Sequence, residues 1–132
     1  MNHILTVILD ANFLMIPEQF GIDIFSELDS LIEKEYRTVT VDVVMSELRG
    51  LTRNSGKGGK AAGLALKLAE EKGIDIIETE RLRGDDAILD AAKKMENASV
   101  ATNDKELKKR CEEASIPVIY LRGNQLEATT RI

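Results

Sequence analysis

Four acidic residues, Asp10, Glu47, Asp86 and Asp104, each follow an apolar, strand-like run, and chemistry is sought there first. The runs are Ile4 to Leu9, Thr38 to Val41, Ile74 to Ile77 and Ser99 to Thr102. In a parallel α/β sheet the carboxyl ends of the strands share one rim, where ligands bind. Carboxylates crowded on one rim repel each other unless a cation lies between them. Hard oxygen ligands suit Mg2+ or Mn2+ rather than zinc or copper. The pattern points to a divalent-metal site and to metal-assisted phosphodiester cleavage.

Each acid also has an ordinary explanation. Asp10 can cap a helix over 11–16, although a charge beside a buried strand is costly without a partner. Asn12, two residues on, is placed to orient it. Glu47 sits on the margin of a helical apolar face with Val43, Val44 and Leu48. Asp85 and Asp86 open a helix; one caps it, and Asp86, just before Ala87-Ile88, is the better candidate to point inward. Asn103 can cap the next helix, with Glu106 in its first turn, and so free Asp104. Explaining all four acids as independent caps is harder, because each falls at the same end of its strand.

Other chemistries fail on inventory. The one histidine, His3, lies at the N-terminus, so neither paired-histidine cleavage nor a Ser-His-Asp triad is available. Zinc held by Cys and His is excluded for the same reason, and the one cysteine, Cys111, reads as a packed thiol. Water activated by a divalent ion is left as the nucleophile. Gly56-Lys57 imitates a phosphate loop, but Gly58 stands where Ser or Thr is required, and the segment follows a helix. Asp10-Ala11-Asn12 lacks the second Asp typical of an aspartyl phosphotransferase.

Positioning these acids requires alternating strands and helices. Strands are predicted at 4–9, 37–41, 74–78, 98–102 and 117–121. Helices are predicted over 11–16, stopped by Pro17, and over 22–34, with Ile22, Phe25, Leu28, Leu31 and Ile32 on one face. Another starts at an Asp42 cap and runs through Leu48; after a loop over 54–59, one runs over 60–72 to Gly73. The last two start near Asp85 and at 104–114, and residues after Gly123 read as a polar, flexible tail. This order implies a single domain over 1–132, a three-layer α/β/α sandwich on a parallel five-stranded sheet.

The composition is that of an ordinary globular chain, 43% apolar and 31% charged. No run approaches a membrane span of about 20 residues. The start lacks a cationic flank, so no signal peptide is expected; with one cysteine, a cytoplasmic location follows. The net charge of −5 argues mildly against nucleic acid, but its distribution does not. No acid occurs from Leu48 to Ala69, where Arg49, Arg53, Lys57 and Lys60 are candidates to grip phosphates. Lys105, Lys108, Lys109 and Arg110 form a second basic cluster. With few aromatics, base stacking is a minor contribution.

Asp10-Ala11-Asn12, Ser46-Glu47-Leu48, Asp85-Asp86-Ala87-Ile88-Leu89 and Thr102-Asn103-Asp104-Lys105-Glu106-Leu107 together resemble the PIN domain, a family of small Mg2+/Mn2+-dependent ribonucleases. The resemblance covers residues 4–121, and the stretch from Asp85 to Leu121 is similar to the branch that processes precursor ribosomal RNA in archaea and eukaryotes. It implies sheet order 3-2-1-4-5, with Asp10, Glu47, Asp86 and Asp104 as catalytic, metal-binding acids and Asn12, Asp85 and Thr102 in support. It also implies single-stranded or structured RNA as substrate, a homodimer, and ribosome-assembly proteins as partners. Three alternatives stay open: a toxin ribonuclease of a toxin–antitoxin pair, a non-catalytic RNA-binding scaffold in ribosome assembly, and, more weakly, a phospho-acceptor regulatory domain using Asp10.

Overall fold

Leu5–Leu9 forms β1, with all five side chains buried, as a strand covered on both faces requires. The computed structural model describes residues 4–80 and 83–132, so His3 lies outside the described residues. Tyr36–Val41 (β2) pairs parallel with β1, and Asp75–Ile77 (β3) pairs parallel with β2. On the other side, Ala98–Ala101 (β4) pairs parallel with β1, and Val118–Arg122 (β5) with β4. The chain thus reverses direction across the sheet between β1 and β4, which makes the gap beyond their carboxyl ends a topological switch point.

Among the described residues seven helices fill the connections. They are Ala11–Leu14 (α1), Ile16–Phe20 (α2), Ile24–Leu31 (α3), Asp42–Leu51 (α4), Lys57–Glu71 (α5), Gly84–Lys94 (α6) and Lys105–Glu113 (α7). By the right-handed rule for parallel crossovers, this strand order puts α1 to α5 on one face and α6 and α7 on the other, giving the α/β/α layers.

The structure corrects the sequence expectation in three places. The sheet has six strands, not five: Gln125–Ala128 (β6) runs antiparallel to β5 in the order β3-β2-β1-β4-β5-β6. Gly123, with φ 64°, starts a two-residue hairpin loop, and Leu126 is buried opposite Leu121, so Gln125–Ala128 of the expected tail is a strand of the sheet. Pro17 does not stop a helix but sits in the first turn of α2, where its missing N–H costs nothing. Lys57, Gly58 and Gly59, expected in a loop, belong to the first turn of α5.

Candidate active site

Asp10 leaves β1 and is only 5% exposed. The Phe13 N–H donates to its Oδ1 at 2.7 Å, so Asp10 does cap α1. The cap and the site are the same residue. Its Oδ2 accepts from the buried hydroxyl of Thr102, and that hydroxyl accepts from the Asp104 N–H at 3.0 Å. Thr102 therefore joins the end of β1 to the end of β4 and fixes its proton on Asp10. Burial, with Asp85 and Asp104 adding repulsion, pushes the Asp10 carboxyl up to about 7, against the lowering effect of its two hydrogen bonds.

Asp104 caps α7, accepting from the Leu107 N–H at 2.9 Å. The expectation that Asn103 caps instead is overturned, because the Asn103 amide is spent on β5. It donates to the Leu121 carbonyl at 3.1 Å and accepts from the Leu121 N–H at 2.7 Å. Asp42 likewise does not cap α4; Val41 holds that position. The Asp42 carboxylate accepts from the Val43 N–H and from the N–H and hydroxyl of Thr79, tying the start of α4 to the segment after β3.

Glu47 projects from α4 over a narrow cleft of about 80 Å³ that Asp10, Asn12, Val44, Leu51, Asp85 and Ile88 also line. Val44, Glu47 and Leu51 form one helical stripe at i, i+3 and i+7. Glu47 is raised above the usual carboxylate range by partial loss of water and then by Asp85. Gly84 lies against it: a Cβ there would stand 2.6 Å from Glu47 Oε1.

The structure brings Asp85, not Asp86, to this cluster. Desolvation and then Asp104 raise the Asp85 carboxyl, while Arg110 opposes them. Asp85 is the common neighbour, since its charge is felt at both Asp10 and Glu47. Asp86 turns to Arg110, whose Nη2 donates to its Oδ1 at 2.8 Å. A second, wider depression of about 380 Å³ continues from the first. It shares Glu47, Gly84 and Asp85 and adds Arg83, Asp86, Glu106 and Arg110. Behind the cluster Cys111 is fully buried, its thiol pushed up to about 11 chiefly by burial.

A family model described as a PIN like domain matches residues 7–124. The chain belongs to the PIN-like family. Two curated archaeal relatives agree. Ribonuclease VapC4 of Methanocaldococcus jannaschii is 32% identical over 117 residues, covering 88% of this chain and 89% of the relative. Ribonuclease VapC9 of Archaeoglobus fulgidus is 33% identical over 125 residues, covering 94% and 88%. Among solved structures, the PIN domain endonuclease Utp24 superposes with a TM-score of 0.81 at 28% identity, covering 96% of this chain and 92% of that one. VapBC-1 of nontypeable Haemophilus influenzae, at 15% identity and a TM-score of 0.50, shares the fold alone.

Within this PIN domain the expected basic residues stand apart from the cleft. Arg49, Arg53, Lys57 and Lys60 are exposed along the end of α4 and the start of α5, and none lines it. Lys60 pairs with Glu18 at 3.4 Å, which offsets part of its charge. Sequence reasoning passed over Gly84, the pairing of Arg110 with Asp86, and the inward turn of Asp85. The last had a signal, because Asp85, Ile88 and Ala92 share a stripe at i, i+3 and i+7, and Ile88 and Ala92 are buried. Asp86 falls about 100° round the helix from it.

Among the described residues no helix is long and apolar enough to cross a membrane.

Proposed function

We propose that this PIN domain is a divalent-metal-dependent endoribonuclease that hydrolyses RNA phosphodiester bonds. The observation that carries the proposal is Asp10, a carboxylate almost fully buried at the switch point, with Asp85 and Asp104 as its charged neighbours. Such a group is costly to ionise alone. A cation beside it supplies the missing charge and reverses that cost.

The residues fit Mg2+ or Mn2+. Asp10, Glu47, Asp85 and Asp104 offer only carboxylate oxygen, the donor type these ions prefer. Among the described residues no three His, Cys, Asp or Glu side chains are already gathered closely enough to hold an ion. A bound ion of this kind lowers the pKa of water and offsets charge on a phosphodiester. The chain's own part is positional. Thr102 fixes the orientation of Asp10, the α7 cap holds Asp104, and Gly84 leaves space for Glu47. Arg49, Arg53 and Lys57 lie on the exposed flank of α4 and α5, where they would attract the RNA backbone.

The test compares cleavage of single-stranded and structured RNA with Mn2+ and with EDTA, in wild type, Asp10→Asn and Asp85→Asn. Cleavage that survives chelation or either substitution removes the mechanism. Precursor ribosomal RNA is the favoured substrate, because the stretch from Asp85 to Leu121 resembles the branch of the family that processes it. Relatives named as ribonucleases at about a third identity support a second version, the same hydrolysis used as a toxin. Growth arrest on expression, relieved by Asp10→Asn, would favour the toxin. A cytoplasmic location accords with the single unpaired cysteine. The homodimer and the ribosome-assembly partners rest on the family resemblance, and light scattering of the pure protein tests the dimer.

A further inference from the structure

Asp85 and Asp86 occupy successive positions in the first turn of α6. Neighbouring helical residues diverge by about 100°, so only one of the two can face the cluster. Which one does so depends on how this turn of α6 is held. Arg110, near the end of α7, reaches Asp86 Oδ1 with Nη2 at 2.8 Å, and both side chains are about two-fifths exposed, 37% and 41%. A charge-assisted bond of this length has directional preference. An exposed pair on an open surface would contribute little. Here it spans two helices at the mouth of the cleft, and the turn it fixes carries Asp85.

We propose that Arg110 is a positioning residue of the site: its bond to Asp86 draws that carboxylate aside and leaves Asp85 turned towards Asp10, Glu47 and Asp104. This rests on the metal-dependent reading above. It explains why one of two adjacent acids enters the cluster and why a cation stands at the edge of an acidic cleft. Charge alone gives the opposite expectation. Arg110 repels a metal ion, so removing it would tighten binding if the guanidinium acted only through its field. Positioning predicts weaker binding, and the two signs separate the roles.

The experiment is calorimetric titration of the full chain with Mn2+ alone, in wild type, Arg110→Gln, Asp86→Asn and the double variant. Loss of a group that orients a ligand weakens metal binding by about 10-fold. Arg110→Gln and Asp86→Asn are each expected to weaken Mn2+ binding by about that factor, and the double variant no more than either single one. Unchanged or tighter binding in Arg110→Gln overturns the proposal. So does an Asp86→Asn loss far larger than that of Arg110→Gln, which would make Asp86 itself a ligand. Arg110→Met keeps the apolar stem and repeats the test should the glutamine variant fail to fold. A wild type that binds no Mn2+ overturns the metal-dependent reading itself, and is distinguishable because no variant is then needed.

Discussion

Replacing Asp10 by asparagine should stabilise the metal-free protein at alkaline pH while abolishing cleavage. The Asp10 carboxyl is raised from 3.8 to about 7, first by burial and then by Asp85 and Asp104. Between those two values the folded chain keeps a proton that the unfolded chain has released. Stability therefore falls as pH rises through that window and levels off above it. At about 1.4 kcal/mol per pH unit, the full span costs about 4 kcal/mol. Asparagine carries no charge and escapes this cost. It has one acceptor oxygen where Asp10 uses two, for Phe13 N–H and the Thr102 hydroxyl, a loss of about 1–2 kcal/mol. The net expectation is a gain of about 2–3 kcal/mol near pH 8 and a small loss near pH 4, where Asp10 is already neutral. Urea unfolding in EDTA at both pH values measures the difference directly. A stability change that is the same at the two pH values would refute the reasoning, because Asp10 would then titrate as an ordinary acid. Saturating Mn2+, at about 100 times its dissociation constant, should add about 2.7 kcal/mol to wild type and nothing to the variant.

Gly84→Ala should lower RNA cleavage by about 10-fold with little change in urea midpoint, since the new methyl meets Glu47 Oε1, the movable end of a side chain. Ser99→Ala should raise stability by about 1 kcal/mol in the same unfolding assay, because the buried Ser99 Oγ has no hydrogen-bond partner among the described residues. Arg53→Glu with Lys57→Glu should raise KM for RNA while leaving kcat nearly unchanged, and should flatten the salt dependence of KM.

The strand–helix alternation was legible because β1 and β4 are mainly apolar, each broken by one small hydroxyl residue, and α6 and α7 carry clear helical periodicity. The same pattern located Asp10, Glu47 and Asp104 at the rim. Local caps were less legible. Asn103 and Asp104 have equal intrinsic capacity to cap, and the outcome was decided by Leu121, a strand partner 18 residues away. β6 was missed because its exposed residues are polar and only Leu126 is buried, so neither an apolar run nor a clear alternation announces it. The Asp85 and Asp86 assignment turned on the rotation of one helix. A three-residue stripe would have indicated it, but the Arg110 contact lies 24 positions away and leaves no local trace.

Cys111 gives the molecule an intrinsic reporter of breathing. Its thiol lies on the inner stripe of α7 with Leu107, fully covered and with very little thiolate at neutral pH. Maleimide or iodoacetamide can reach it only when that helix lifts. The alkylation rate therefore clocks transient release of the segment bearing both Asp104 and Arg110, and no engineered label is required.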